Sequence, residues 1–383
     1  MRKTVAVMGG GLVGMLIAKE LTLDYQVNVY DKNPDVYEKT SDLANCCGYI
    51  VDLSDPQEIR RTVVANDLIV IAVPGSLGYK ILSVCVGMGK PVADISFSPS
   101  DPLQLDTWAK QTGARVVVDC GVAPGMSNLF AGHACTMLDT TSEITIMVGG
   151  LPITRIWPFD YNLVFSLTDV IEEYTRPCRY RENGHIIVRP ALTDREYVDL
   201  PHCGTLEAFN TDGLRTLLTT LDVPTLKEKT LRFPGHIDKM MVFREAGFFD
   251  DVDIDVNGVQ MNPRKLTEKL FAKSWNLPKD AEEFTVLRVD ALGKVGSGYR
   301  RIVWDLYDRT NVQTKQTSMA RTTGFPCVTM LRLLDRSDWI KPGVWPLEKL
   351  ASNQLIVDSL IGELELQGIE ITCKVTETIL SGR

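Results

Sequence analysis

The sequence predicts an α/β protein, with a doubly wound parallel sheet at its N-terminus and a second, α+β domain after it. Three observations carry that expectation. Short apolar runs recur through the first 124 residues with helical segments between them. The first run ends in a knot of glycines just before a helix begins. Beyond about residue 125 the runs lengthen and start to alternate apolar with polar residues. At 383 residues the chain also exceeds what one hydrophobic core usually supports, so two domains are expected.

The elements follow in order. "VAVM" (5–8) is apolar on both faces, as a buried parallel strand must be. "GLVGMLIAKEL" places apolar residues at 12, 13, 16, 17 and 21, the stripe of a helix packed on one side. "QVNVYD" (26–31), "GYIVDLSD" (48–55), "DLIVIAVPG" (67–75), "PVADISF" (91–97) and "ARVVVDCGVAPG" (114–125) read as five further strands. Helical stretches between them make right-handed crossovers. Ligands of such sheets collect at the carboxyl ends of the strands, which gathers Val73, Pro74, Asp94, Ser96, Phe97, Val122 and Ala123 around one crevice.

Gly9, Gly11 and Gly14 are spaced G-x-G-x-x-G between the first strand and the first helix. The first glycine permits the tight turn, the second lets a pyrophosphate reach bare backbone, and the third lets the helix lie close to the strand. The amides of Leu12 and Val13 open the helix, where unpaired N–H groups and the positive dipole end favour phosphate. Asp31 closes the second strand and is placed to accept hydrogen bonds from the adenosine ribose hydroxyls, which favours NAD over NADP. Lys32 beside it pulls the other way, toward NADP. Asp52, at the end of the third strand, is expected near the adenine. These residues predict a Rossmann dinucleotide-binding domain over 1–124.

After a helix starting near Pro124, "EITIMVGGLP" (143–152) begins the second domain. "HIIVRPAL" is one later strand, and "EEFTVLRVDALG" (282–293) and "GYRRIVWDLYD" (298–308) form a hairpin across "KVGSG". Ile302, Trp304 and Leu306 share one face of the last strand, and Arg301, Val303 and Asp305 the other. An α+β substrate and dimerisation domain is therefore expected over 125–315. "SMARTTGFPCVTMLRLL" (318–334) reads as a helix in a C-terminal segment, 316–383, that returns to the first domain.

Composition narrows the function. The net charge of −8, from 41 basic and 49 acidic residues, argues against a nucleic-acid binder. No apolar run is long enough to span a bilayer, and no signal peptide fits before a strand that starts almost at Met1, so cytoplasmic residence is expected. Nine scattered cysteines without a CxxC pair, and four histidines without ligand spacing, argue for reduced thiols and no metal site.

The chain resembles the saccharopine dehydrogenase-like family, of the saccharopine reductase and lysine 6-dehydrogenase type. The resemblance rests on "GGGLVG" (9–14), "DISF" (94–97), "DCGVAPGMSN" (119–128), "VGGLP" (148–152), "GTLEAFNTDGL" (204–214) and "LRFPGHIDKM" (231–240). It implies an NAD(P)-dependent dehydrogenase and a homodimer formed through the second domain's sheet. It also implies an amino-acid substrate that meets Ser96, Phe97, Ala123, Val148 and the Asn210-Thr211-Asp212 turn. One departure stands out. Saccharopine reductases carry an arginine in a pattern like F-S-W-S-P-R-G that holds a substrate carboxylate. The matching "FSLTDV" (165–170) has none, which suits a smaller diamino acid such as lysine.

Oxidising an amine-bearing carbon requires a group that takes the ammonium proton near neutral pH. His236, Asp94, Asp119 and Glu207 are the candidates. Each also has a plain structural reading, as a core histidine, a helix cap or a loop holder. Arg244 is the candidate clamp for the α-carboxylate, with a surface ion pair as its alternative. The expected activity is NAD-dependent oxidation of the lysine 6-amino group to the semialdehyde. The alternatives are a saccharopine reductase-like activity and a non-catalytic nucleotide-binding sensor.

Overall fold

The computed structural model describes residues 2–163, 166–276, 278 and 281–378. The chain divides into two compact units. The first comprises Met1–Met137, Arg215–Leu221 and Ala320–Ile371, and the second Leu138–Leu214, Asp222–Met319 and Thr372–Arg383.

The first unit alternates strand and helix: β1 (Thr4–Met8), α1 (Leu12–Leu21), β2 (Gln26–Asp31), α2 (Val36–Ser41), β3 (Cys46–Ile50), α3 (Pro56–Val64), β4 (Leu68–Ile71), α4 (Gly75–Gly87), β5 (Val92–Asp94), α5 (Asp106–Thr112), β6 (Arg115–Val118) and α6 (Met126–Thr136). The second unit contributes β7 (Thr140–Pro152), α7 (Leu167–Thr175), β8 (Cys178–Glu182), β9 (His185–Arg189), β10 (Glu196–Leu200) and β11 (Gly204–Asn210). The short α8 (Leu217–Thr220) belongs to the first unit, after which the chain resumes with β12 (Thr225–Arg232), α9 (His236–Glu245), β13 (Ile254–Val256), β14 (Val259–Met261), α10 (Pro263–Ser274), β15 (Glu283–Val295) and β16 (Gly298–Arg309). The last elements are α11 (Ser318–Arg336), β17 (Gly343–Pro346), α12 (Leu347–Leu350), α13 (Gln354–Leu366) and β18 (Glu370–Thr378).

The sheet of the first unit has the order β17-β6-β5-β4-β1-β2-β3, and each neighbouring pair is parallel. The strand order reverses between β1 and β4, the switch point at which this architecture binds ligands. Its core is aliphatic, with Ile59, Ile69, Ile71, Ile81, Val92 and Val116 fully buried on strands and crossover helices. Two strands are shorter than their apolar runs. The third strand ends at Ile50 because "DLSD" turns: Asp52 accepts from the Ser54 N–H at 2.9 Å, and Asp55 caps α3 through the Gln57 N–H at 2.8 Å. The fifth stops at Asp94, whose carboxylate accepts from the Ser96 N–H at 2.7 Å. α6 lies in the first unit, beyond the 124/125 boundary read from the sequence, and so does Arg215–Leu221.

In the second unit the main sheet runs β10-β11-β12-β7-β15-β16-β18, with β8 and β9 attached beside β12. It is mixed: β7 is parallel to β12 and antiparallel to β15. The hairpin β15–β16 turns at Gly296, and Ile302, Trp304 and Leu306 are buried on one face while Arg301 and Asp305 pair with Asp290 and Arg288 on the other. β18 joins this sheet as its edge strand, whereas the sequence assigned all of 316–383 to the first domain. A strand takes its place from backbone partners far away in sequence, which local pattern does not encode. Helices α7, α9 and α10 pack with the sheet around an aromatic core that includes Tyr161, Tyr174, Phe209, Phe271 and Trp275. Phe165, the first residue of "FSLTDV", lies outside the described residues; Leu167 begins α7.

Candidate functional site: a dinucleotide cradle and buried carboxylates

In the first unit the β1–α1 turn is built by close backbone approach. A Cβ on Gly9, which has φ +111°, would lie 2.2 Å from the Ala72 carbonyl oxygen, and one on Gly14 would lie 2.0 Å from that of Gly9. Only glycine fits either place. Over Gly11, by contrast, an added Cβ meets nothing within 4 Å. Gly11 is also the N-cap of α1, offers no side-chain cap, and no acidic residue occupies the first turn. The helix therefore presents bare amides and an uncompensated positive end to open space, which is what a pyrophosphate requires. The residues present fit a dinucleotide.

Asp31 stands beside this turn. Its Oδ2 accepts from the Gly10 N–H at 2.6 Å and its Oδ1 from the Asn33 N–H at 2.9 Å. Each carboxylate oxygen retains capacity for a further donor, so ribose hydroxyls remain acceptable partners. Lys39, which no motif pointed to, donates to the Gly10 carbonyl at 3.2 Å, so Asp31 and Lys39 hold the successive peptides on either side of Gly10. Lys32 is exposed. Val73 is buried at the end of β4, and Pro74 opens α4. Val122 is buried and accepts from the Ser127 N–H at 2.9 Å, next to the half-buried Ala123. Asp52 is fully solvated in its turn, with its pKa lowered by the Ser54 hydrogen bonds. It caps a turn and does not close a strand.

Asp94 ends β5 and Asp119 follows the adjacent parallel strand β6, and the Cys120 N–H donates to the Asp94 carbonyl at 3.0 Å. Burial pushes the Asp94 carboxyl up to about 7, against the hydrogen bonds from Ser96; the Asp119 charge adds to the rise and Arg215 opposes it. Asp119 is paired with Arg215, whose Nε lies 3.0 Å from Oδ1. Ser96 is buried against Gly78 of α4. The Phe97 ring lies beneath the Arg215 guanidinium, 4.9 Å from Cζ to the ring centroid.

The second unit sorts the remaining candidates differently. His236 is fully buried. Its Nδ1 lies 2.8 Å from the Phe159 carbonyl and its Nε2 3.0 Å from the Tyr174 hydroxyl. Burial and the nearby Arg232 lower its pKa to about 3. It is a neutral core imidazole fixing Phe159 and Tyr174, not the acid–base group the sequence suggested. Glu207 is also structural: it pairs with Arg195 at 2.6 Å and accepts from the Gly235 N–H at 3.2 Å, which fixes the turn into α9. Arg244 donates to the Ala191 carbonyl at 2.8 Å and pairs with Glu245 at 2.8 Å, so it fastens a loop instead of standing ready for a carboxylate. Asp212 is held by Arg179 at 2.9 Å, and Asn210 donates to Asp194 at 2.9 Å.

Thr211 and Val148 do come together. β12 sets Thr230 beside Val148, and the Thr211 and Thr230 hydroxyls are 2.9 Å apart. Two residues of β12 to which the sequence assigned no role complete this region. Glu228 is buried and accepts from the Thr211 hydroxyl at 2.6 Å and the Gly213 N–H at 3.1 Å. Arg232 is buried, donates to the Tyr174 hydroxyl at 3.3 Å, pairs with Glu173, and lies 4.6 Å over the Tyr161 ring. In a strand, alternation shows which face a residue takes, but not whether that face is covered, so neither was legible beforehand.

Burial pushes the Glu228 carboxyl from 4.5 up to about 7. The unfolded chain releases this proton near 4.5, while the folded chain keeps it to about 7, so stability from Glu228 is complete below 4.5 and falls as pH rises through 7. Glu228→Gln keeps the acceptor and cannot ionise. Urea unfolding at pH 5 and pH 8 is expected to show a smaller loss for the variant, with the difference reaching roughly 3 kcal/mol. Equal losses in both proteins would refute the assignment.

Among the described residues no group of His, Cys, Asp and Glu side chains is arranged to hold a metal ion, and no helix is long and apolar enough to cross a membrane. All nine cysteines are free thiols.

A family model of the saccharopine dehydrogenase C-terminal domain matches residues 121–369. The chain belongs to the saccharopine dehydrogenase-like family. Its relatives include the alpha-aminoadipic semialdehyde synthase of Arabidopsis thaliana, 22% identical over 249 residues, a match covering 61% of this chain but 23% of that protein. The carboxynorspermidine synthase of Vibrio cholerae is 22% identical over 329 residues, covering 78% of this chain and 77% of the relative. The match to the first of these thus spans under a quarter of its length. Apo saccharopine dehydrogenase (L-Glu forming) from Saccharomyces cerevisiae has the same fold, with a TM-score of 0.79 at 15% identity over 98% of this chain and 100% of that one.

Proposed function

We propose that this family member is a nicotinamide-dependent oxidoreductase acting on a C–N bond of an amino acid, with the lysine 6-amino group as the preferred substrate. The observation that carries the reading is the cradle of bare α1 amides over Gly11, with Asp31 at the end of β2. Gly11, Leu12 and Val13 would hold the pyrophosphate, and Asp31 would hold the adenosine ribose, which favours NAD. The coenzyme supplies the hydride acceptor. The relative named alpha-aminoadipic semialdehyde synthase supports an amino-acid substrate. The missing arginine in "FSLTDV" supports one without an additional carboxylate.

The lysine ammonium first gives up a proton, and a hydride then leaves the carbon that bears the amine. The resulting imine takes up water and releases ammonia to give the semialdehyde, or the α-amine attacks it and closes a ring with loss of the same ammonia. Of the four acid–base candidates, Asp94 has a protonation equilibrium near working pH, because burial holds its carboxyl near 7. Asp119 is committed to Arg215, and His236 and Glu207 to the core. A homodimer belongs to the same proposal, supported by the exposed edge strand β18.

The test is absorbance of the reduced nicotinamide in purified protein given NAD and lysine. Reduction without 2-oxoglutarate is expected. A requirement for glutamate or saccharopine would favour the saccharopine reductase-like alternative, which the relative named carboxynorspermidine synthase also makes worth testing. Coenzyme binding with no turnover of any amino acid would leave the sensor reading.

A further inference from the structure

Arg215 carries no motif, yet the fold delivers it to the carboxyl edge of the first unit's sheet. The chain leaves the second unit after Leu214, runs through the first unit over Arg215–Leu221, and returns to the second at Asp222. This excursion is fastened along its length. The Asn128 amide donates to the Thr216 hydroxyl at 3.3 Å, and Glu348 accepts from Thr220 at 2.6 Å and from Asn128 at 3.0 Å.

At its head, Arg215 makes three kinds of contact. Its Nε donates to both Asp119 oxygens at 3.0 and 3.1 Å, its Nη1 donates to the Ser98 carbonyl, and its guanidinium stacks on Phe97. The paired side chains are 8% and 1% exposed. Both residues sit in the left-handed region, Asp119 at φ 54° and Arg215 at φ 46°. Aspartate tolerates that region comparatively well, whereas a long side chain such as arginine adopts it less often. At Arg215 a sparsely populated backbone conformation coincides with the buried ion pair to Asp119.

The pieces that Arg215 joins are the loop after β5, Phe97–Ser98, and the residue after β6, Asp119. In a doubly wound sheet the adenosine half of a dinucleotide lies over β1 and β2, and the second mononucleotide lies across the switch point, over β4 to β6. We propose that Arg215 is a positioning residue for the nicotinamide half of the coenzyme site: through its paired hydrogen bonds to Asp119, its bond to the Ser98 carbonyl and its stacking on Phe97 it locks these two loops together. This rests on the coenzyme reading above and deepens it. The groups facing Asp94 are Asp119 and Arg215 together with the buried thiols Cys85 on α4, Cys120 after β6 and Cys327 on α11. Burial raises all three thiols, so they stay neutral; Arg215 opposes the Asp119 charge at Asp94, and removing it leaves that charge to raise the Asp94 carboxyl further.

The experiment compares ADP-ribose, which lacks the nicotinamide, with NADH by calorimetry on the full chain, together with Arg215→Met and Arg215→Lys. Wild type is expected to bind both. Arg215→Met should bind ADP-ribose within about twofold of wild type and lose about tenfold in NADH affinity, the scale of one charge-assisted contact. The midpoint of its NADH affinity against pH should move to higher pH. Arg215→Lys keeps the charge and loses the planar fork, so it should retain the wild-type midpoint with part of the affinity loss. Parallel losses for both ligands, or unchanged NADH binding, would assign Arg215 to folding alone and leave the coenzyme reading intact. Failure of wild type to bind ADP-ribose would instead overturn the coenzyme reading and this proposal with it. Should Arg215→Met not fold, the affinity and midpoint of Arg215→Lys decide: a wild-type ratio of ADP-ribose to NADH affinity overturns the proposal.

Discussion

Gly11→Ala is expected to leave the stability of the protein unchanged while lowering its affinity for NADH by about 10- to 100-fold, the cost of one misplaced methyl against a closely fitted group. The Gly11 Cβ would enter open space in the free protein, so nothing in the fold resists it. The same methyl occupies the ground where a pyrophosphate must touch the Gly11 and Leu12 amides. Gly14→Ala should behave in the opposite order. Its Cβ would lie 2.0 Å from the Gly9 carbonyl oxygen, and both partners are backbone, so the turn must open. A loss of about 1–3 kcal/mol is expected in urea unfolding, with coenzyme affinity falling as a consequence. Calorimetry and unfolding on both variants separate the roles. A Gly11→Ala protein that binds NADH like wild type would remove the pyrophosphate from this turn.

Arg232→Met is expected to destabilise the second unit by about 3 kcal/mol, measured by urea unfolding. The guanidinium is buried and serves the Tyr174 hydroxyl, the Leu231 carbonyl and Glu173 at once, while covering the Tyr161 ring. Methionine matches its apolar stem but leaves the Glu173 carboxylate facing the core without its partner, and that unpaired charge is the larger part of the loss. A second substitution, Glu173→Gln, removes the stranded charge and should restore part of the stability. Since Glu173 retains some solvent access, with 24% of its side chain exposed, the rescue is expected to be incomplete. No loss in Arg232→Met would mean that the surrounding aromatic packing alone maintains this region.

The glycine turn between β1 and α1 was legible because all of its determinants are local. Gly9, Gly11 and Gly14 sit within one strand-to-helix connection, and Asp31 reaches it from the next strand by the regular geometry of the βαβ unit. The acid–base assignments were not legible for the opposite reason. His236 opens a helix and looks available in sequence, yet Tyr161, Tyr174, Phe159 and Trp275 enclose it. Asp94 and Glu228 look alike on paper as strand carboxylates, and only their burial raises both toward neutrality. Their neighbours come from segments distant in the chain.

By itself, then, the order of amino acids determined the parallel sheet, its crossovers, the glycine turn that opens α1 and the alternating faces of the β15–β16 hairpin, because strand and helix periodicity and glycine sterics act over a few residues. The tertiary structure alone decided that Arg215 meets Asp119, that β18 crosses to the second sheet, and that His236 is sealed and neutral. Desolvation and ion pairing depend on what lies within a few ångströms in space, and the Arg215–Asp119 pair joins residues 96 positions apart along the chain.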